Sequence, residues 1–245
     1  MGTKKKHKNS NYNGAEKAAR LAAEKEALAK AQMRKNIITV AIAAAVIVAA
    51  ILTIVLVSAW FNNASEYART RDITDRDVTY VEFSVEDYGK FVVMLDATTA
   101  PKTVANFLAL VNSGFYDGLT FHRIIEDFMI QGGDPDGDGS GGLDTKLTGE
   151  FAANGYENDI QHLRGVISMA RSNPYDSASC QFFICNADST FLDGNYAAFG
   201  YVVDGLGVVD KITRKSVKFT TDGVIEDKTK QPVIEYVKVL ESWDK

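Results

Sequence analysis

The most chemically informative part of the chain is the run at residues 121–134, which combines a permanent cation with an amide and apolar residues. Arg123 comes first, the apolar pair Phe128 and Met129 follows, and Gln131 comes next. Alternate side chains of a strand lie on one face, so we expect Arg123 and Gln131 to converge over an apolar floor. Such a pocket fits a compact apolar ring with an amide beside it, as proline has within a peptide.

A second run, Gln181–Cys185, again combines an amide with aromatic residues. Neither run comes with a hydroxyl nucleophile, a carboxylate pair or a metal-binding cluster. His122 adjoins Arg123, but strand alternation directs it to the opposite face, and we interpret it as structural. His162 lies in a loop-like stretch and gives no useful signal. The two runs together predict a pocket that holds a compact apolar ring and offers hydrogen bonds to its amide.

At these residues the chain resembles the cyclophilin family of peptidyl-prolyl isomerases, in a bacterial style. Five matching pieces occur in the family's order over residues 78–241: Ala100–Phe107, the 121–134 run, Ile167–Ala170, Gln181–Cys185, and Leu192–Gly194 with Phe199–Gly200. The resemblance implies a mostly β fold, an eight-stranded antiparallel closed barrel capped by two α-helices, with the groove outside. It also implies that neither a cofactor nor a metal is required.

The resemblance assigns roles to individual residues. Arg123 matches the catalytic arginine, which donates to the proline nitrogen of the twisted amide and so favours the transition state over both planar ground states. Gln131 matches the residue that contacts the substrate backbone. The remaining substrate-binding positions wall the proline pocket or hold the flanking peptide: Phe128, Met129, Ala170, Arg171, Gln181, Phe183, Phe191, Leu192 and Tyr196.

Three of these positions depart from the common family pattern. Arg171 replaces a common Asn, Phe191 stands where many members have Trp, and Tyr196 stands where they have His. We expect the charge of Arg171 to alter the preference for residues before proline. The missing indole donor at Phe191 predicts weaker cyclosporin binding. None of the three changes removes the proposed catalytic group.

Residues 37–61 contain no charged side chain and are long enough to cross a bilayer as a helix, for which about 20 apolar residues suffice. Trp60 and Phe61 close the segment where an aromatic belt would lie. We predict an uncleaved transmembrane helix. The alternative is a signal peptide cleaved near Val57-Ser58-Ala59, although the charged leader and the apolar stretch are both long for one.

The charge distribution predicts the orientation of that helix. Residues 1–36 carry ten Lys/Arg against three Glu, which leaves 27 − 10 = 17 basic and 32 − 3 = 29 acidic residues after them. Positive residues stay cytoplasmic, so the N-terminus should lie inside and the large domain outside the cell membrane. The acidic outer part argues against a nucleic-acid partner. The basic patch at 4–8 is interpreted as a topology signal, with contact to anionic lipid as the alternative.

The predicted organisation is a basic cytoplasmic tail at 1–36, the span at 37–61, a polar linker at 62–77 and the isomerase domain at 78–245. Within the domain, alternation predicts a hairpin over 79–95 and a last strand within 232–241. Pro101 opens a helix that Gly114 closes, and a second helix covers 206–213. We expect a monomer.

Two further sequence features, a pair of cysteines and an Asp-rich run, give only weak indications of a chemical role. Cys180 and Cys185 are expected to be free thiols without a redox role, because an intervening strand separates them. Residues 134–139 match the opening of a calcium loop, but Thr145 stands where the bidentate Glu should be. We therefore predict a flexible loop there.

The sequence thus predicts a membrane-anchored peptidyl-prolyl isomerase that acts on proline-containing peptides and assists the folding of exported or surface proteins. The alternative is a catalytically weak module that binds proline peptides and tethers a partner at the membrane.

Overall fold

The computed structural model describes residues 7–70 and 74–243, and in the first range it describes side chains at 17, 19–43 and 45–53. The chain divides into two compact units, Met1–Phe61 and Asn62–Lys245. Helix α1 spans His7–Thr70. Its stretch Ala19–Thr53 is long and apolar enough to cross a membrane, a criterion that a signal sequence also satisfies.

The predicted span at 37–61 overlaps this stretch, and the described side chains there are exposed. Three sequence features of this region lie outside the described side chains. They are the basic patch at 4–8, the cleavage-like residues at 57–59 and the aromatic pair Trp60 and Phe61.

Eight strands form one antiparallel sheet in the order β3-β4-β6-β5-β7-β2-β1-β8. They are β1 (Val78–Val85), β2 (Gly89–Asp96), β3 (Phe121–Ile125), β4 (Met129–Gly132), β5 (Val166–Met169), β6 (Phe182–Cys185), β7 (Ala198–Asp204) and β8 (Ile234–Leu240).

The sheet curls so that its two edges approach each other. The Phe121 amide donates to the carbonyl of Pro232 at 2.9 Å, and the Ile234 amide donates to the carbonyl of Leu119 at 2.8 Å. Among the described residues no ladder joins β3 to β8. The structure therefore confirms eight antiparallel strands and shows a curled half-barrel, whereas the predicted complete closure is not seen.

The core fills the concave side of this sheet. Val81, Phe83 and Val85 are all buried, as the alternation of β1 predicts. The ring of Phe107 packs between those of Phe83 and Phe182, with centroid distances of 6.3 and 5.7 Å. Aromatic rings of this size bury more apolar area than any other side chains and so dominate the energy of packing.

Two helices pack on the sheet of this unit, α2 (Pro101–Asn112) and α3 (Leu206–Ser216). Pro101 occupies the first turn of α2, and the buried carboxylate of Glu150 accepts the amides of Lys102 and Thr103 at 3.0 and 2.8 Å. A carboxylate at this end satisfies free donors and complements the helix dipole. Gly114, with φ of 69°, follows α2 as predicted.

Candidate active site

The β3–β4 hairpin places Arg123 and Gln131 opposite each other as paired residues of adjacent strands. The guanidinium Nη1 of Arg123 donates to Oε1 of Gln131 at 3.3 Å. Both side chains are half-buried. Their convergence was expected from alternation, and the short turn through Asp127, which adopts φ of 55°, sets the pairing.

A directed chain of hydrogen bonds continues from Gln131. Its Nε2 donates to Oε1 of Gln181 at 2.9 Å, and Nε2 of Gln181 donates to the carbonyls of Gly141 and Gly139 at 2.7 and 3.2 Å. A guanidinium can only donate and a carbonyl can only accept, so the two ends fix the orientation of both amides. Nε2 of Gln131 keeps a second N–H for a ligand.

Beside Arg123 lies a cavity of about 170 Å³. Its floor is apolar: Met129, Phe183 and Leu192 are 2, 5 and 8% exposed and form one hydrophobic cluster with Cys185. Nine of the eleven residues predicted for the site line it, namely Arg123, Phe128, Met129, Gln131, Ala170, Arg171, Phe183, Leu192 and Tyr196. A cavity of this size and lining accommodates one small ring.

The other two predicted residues lie at its margins. Phe191 is 70% exposed, and its ring packs against that of Phe128 with a centroid distance of 5.4 Å. Gln181 lines a neighbouring polar cavity of about 310 Å³. Gln131, Ala170 and Arg171 line both cavities, so the two form neighbouring parts of one groove.

The guanidinium of Arg171 keeps its charge and is held by neutral carbonyl groups of the protein. Its Nε and Nη2 donate to the carbonyl of Asn195 at 3.0 and 2.9 Å, and Nη1 donates to those of Ser172 and Asn173. The group also lies 4.6 Å from the ring centroid of Tyr196. Arg171 therefore holds the loop that walls the groove.

Sequence reasoning gave no role to His162, yet this side chain supports the floor of the pocket. It is 1% exposed, its Nδ1 lies 2.8 Å from Asp193 and its Nε2 lies 3.0 Å from Ser168. Its ring stacks on Phe183 at 6.0 Å. Burial lowers the pKa of His162, against an opposing effect of Asp193. Ser168 is fully buried, so this Ser-His-Asp set is closed to substrate.

His122, next to Arg123, is fully buried, and neither ring nitrogen has a hydrogen-bond partner among the described residues. Burial lowers the pKa of His122, opposed by Asp134 and Asp138 and assisted by Arg123. A register shift between Phe121 and Arg123 marks a bulge here. The imidazole is thus held neutral behind the site, in keeping with the structural interpretation.

The Asp-rich loop after β4 uses its first carboxylate internally. Asp134 is 1% exposed and accepts the amides of Asp136, Asp138 and Gly139. A carboxylate that accepts three amides has few lone pairs left for a cation. Its role here is to shape the loop whose Gly139 and Gly141 carbonyls bind Gln181.

The two cysteines are free and buried, as predicted. Burial raises the pKa of both thiols. Since the thiolate is the reactive form, neither residue is suited to nucleophilic or redox chemistry at neutral pH.

The site thus combines a half-buried arginine with an apolar pocket on a curled antiparallel sheet. Comparison with known proteins gives the family. Residues 80–239 match the family model described as Cyclophilin type peptidyl-prolyl cis-trans isomerase/CLD, and the chain therefore belongs to this family.

The relatives it resembles carry the same activity in their names. Peptidyl-prolyl cis-trans isomerase A of Dickeya dadantii is 42% identical over 151 residues, which cover 60% of this chain and 76% of the relative. Peptidyl-prolyl cis-trans isomerase cyp18 of Streptomyces antibioticus is 42% identical over 163 residues, covering 62% and 93%. A fission-yeast isomerase, ppi1 of Schizosaccharomyces pombe, is 39% identical over 155 residues, covering 63% and 92%.

Solved structures agree. A Cryptosporidium parvum cyclophilin type peptidyl-prolyl cis-trans isomerase superimposes with a TM-score of 0.60 at 28% identity, covering 68% of this chain and 100% of that one. A crystal structure of the same Cryptosporidium parvum isomerase, obtained in the presence of the dipeptide Ala-Pro, gives a TM-score of 0.58 at 28% identity. It covers 66% of this chain and 99% of that one.

Proposed function

We propose that Arg123 is the catalytic residue of this peptidyl-prolyl cis-trans isomerase. The observation that carries this proposal is the half-buried guanidinium at the wall of an apolar cavity sized for a proline ring. One of its donors is engaged by Gln131, and the remaining donors are available to the substrate amide.

The chemistry follows from the amide bond. Rotation about an X-Pro bond breaks resonance, and the barrier of about 18–20 kcal/mol makes the unaided reaction take tens to hundreds of seconds. In the twisted state the proline nitrogen regains its lone pair. A donor aimed at that nitrogen binds the twisted state better than either planar state, which is the differential binding that catalysis requires.

The other predicted residues hold the substrate around this group. Met129, Phe183 and Leu192 receive the proline ring, and the free N–H of Gln131 binds a backbone carbonyl of the peptide. Ala170 and Gln181 line the adjoining groove for the residues before proline. The guanidinium of Arg171 supports that groove through its hydrogen bonds to the Asn195 carbonyl and keeps its positive charge beside it.

We further propose that α1 anchors the enzyme in the cell membrane as an uncleaved single span, with the tail inside and the isomerase domain outside. The uncharged segment 37–61 and the basic residues before it support this arrangement. The clients would then be exported or surface proteins during folding. We also propose that the enzyme is a monomer of the bacterial type.

The second candidate is a proline-peptide binding or scaffolding module with little turnover. The same apolar floor and Gln131 would serve binding alone, so the pocket by itself is compatible with it.

A protease-coupled X-Pro assay on residues 62–245 separates the two. We expect acceleration that Arg123→Ala lowers about 100-fold, by analogy with the loss of one transition-state donor. Arg123→Lys, which keeps the charge and loses the fork, is the matched control and should retain intermediate activity. Peptide affinity without acceleration in the unmodified protein would instead favour the binding module.

A further inference from the structure

The end of α3 and the segment after it carry a group of exposed cations, two of which, Lys218 and Lys230, lie beside the aromatic ring of Phe219. We call this group the basic face: Arg214, Lys215, Lys218, Phe219 and Lys230. Among the described residues, Arg214, Lys215 and Lys218 form no ion pair with a carboxylate, while Lys230 pairs with Asp227 at 3.1 Å. The three cations are therefore available to an anionic partner.

This concentration of positive charge contrasts with the remainder of the unit. Residues 211–230 hold six Lys/Arg against three Asp/Glu, whereas the other residues of 37–245 hold 11 against 26. At physiological salt, charges more than roughly 8 Å away are largely screened. The basic face therefore attracts anions locally although the unit as a whole is acidic.

Phe219 indicates which kind of anionic partner fits the basic face. Its side chain is 40% exposed, and the ammonium groups of Lys218 and Lys230 lie 5.0 and 5.5 Å from its ring centroid. Phe191, another exposed aromatic, belongs to the rim of the pocket instead. An apolar ring surrounded by lysines suits a membrane surface, where the ring enters the headgroup region and the ammonium groups bind phosphates.

We propose that the basic face contacts anionic lipid headgroups of the membrane that holds α1. This inference rests on the anchored arrangement proposed above, since a tether raises the effective concentration of lipid and makes a weak contact sufficient. The segment 221–225 follows the basic face in the chain, and there the carbonyl of Gly223 accepts the amide of Ile124 at 2.6 Å. Lipid contact there would orient the strand that carries Arg123 at the bilayer surface.

The test uses residues 62–245, without the apolar helix. This part folds on its own, because it has its own core and a crystallised relative is matched along 100% of its length by 68% of this chain. We expect it to sediment with vesicles of phosphatidylcholine and phosphatidylglycerol, and to stay in solution with phosphatidylcholine alone. Each basic residue near an anionic surface contributes about 1 kcal/mol, or about fivefold in partitioning.

R214Q/K215Q/K218Q should therefore lower binding about 100-fold. K90Q/K102Q/K238Q, which removes the same charge elsewhere, should bind as the unmodified protein does. Unchanged isomerase activity shows that both variants are folded. Equal losses in the two variants, or no binding to anionic vesicles, would overturn the proposal. Retention on polyglutamate without vesicle binding would assign the face to an acidic polypeptide. If α1 does not anchor the chain in the membrane, the full-length protein will be found in the soluble fraction, which tests that proposal separately.

Discussion

Arg123 and Gln131 are paired across the β3–β4 hairpin, and the guanidinium donates one hydrogen bond to the Gln131 amide at 3.3 Å. Within the described part of the chain this hydrogen bond orients the tip of the arginine, and its other donors meet no acceptor there. Its orientation depends in turn on the amides that hold Gln131, which makes the network testable.

Gln181→Leu should leave Nε2 of Gln131 without its acceptor and release the Gly141 carbonyl. Losing a hydrogen bond of this kind costs about 1 kcal/mol, and we expect kcat/KM to fall roughly five- to tenfold. A double-mutant cycle with Gln131→Leu in the protease-coupled assay measures the coupling. Fully additive losses would show that the two amides act independently.

Gly223 lies against the strand that carries Arg123, and its φ of 86° suits glycine. A Cβ at this position would meet Cγ1 of Ile125 at 2.6 Å and Cγ of Arg123 at 3.4 Å. Gly223→Ala should therefore displace β3 and lower kcat more than it raises KM. Gly118→Ala is the matched control, since its φ of 81° is similar and a Cβ there meets nothing within 4 Å. If both variants were equally active, 221–225 would have no part in positioning Arg123.

The alternation of residues along the sequence was sufficient to predict the contact between Arg123 and Gln131, because these residues are close in sequence. Arg123 and Gln131 are eight residues apart on one hairpin, so alternation and a short turn place them together. Gly223 and His162 could not be found this way. Their contacts with the site bridge distant parts of the chain, and only the curl of the sheet brings those parts together. A sequence feature that could have indicated a role for His162 is its hydrogen-bonding partner Asp193, which lies within the Leu192–Gly194 motif.

Arg171→Lys tests whether this arginine positions the groove or selects peptides by charge. Lysine keeps the charge but cannot donate to the carbonyls of Asn195, Ser172 and Asn173 at once. We expect KM to rise about tenfold for neutral and acidic peptides alike, with kcat little changed. Steady-state kinetics with peptides that differ in charge before proline provide the measurement. If the charge alone mattered, Arg171→Lys would leave KM unchanged for all of these peptides, and this outcome would restore the charge-based interpretation.

Phe191→Trp tests the departure at the rim of the pocket. Phe191 is 70% exposed and packs on Phe128, so an indole can replace it without overpacking. One added hydrogen bond from the indole should tighten cyclosporin inhibition roughly tenfold while leaving turnover unchanged. Inhibition titrations of both proteins measure this. A steep inhibition curve in the unmodified protein would show that the indole is dispensable.

The two buried histidines predict a pH dependence of stability rather than of catalysis. Burial lowers the pKa of His122 and His162 in the folded state, below the value of about 6.5 expected when the chain is unfolded. The unfolded chain therefore binds more protons as the pH falls through this window. The contribution of the two neutral histidines to the free energy of unfolding is fully present above about pH 6.5. As the pH falls from there toward the folded-state pKa, this contribution is lost, by up to roughly 1.4 kcal/mol per pH unit for each histidine.

Urea unfolding of residues 62–245 at about pH 7.5 and about pH 5.5 measures this loss, since unperturbed carboxylates titrate mainly below that range. His122→Gln removes a ring that Asp134, Asp138 and Arg123 face, and it should reduce the loss by one proton's contribution. His162→Gln should do the same but also weaken the floor of the pocket, because it breaks the contacts to Asp193 and Ser168.

Isomerisation requires no proton transfer, so kcat/KM of the folded protein should stay level over this range. A pH-independent free energy of unfolding, unchanged by either substitution, would show that neither histidine is held neutral by the fold.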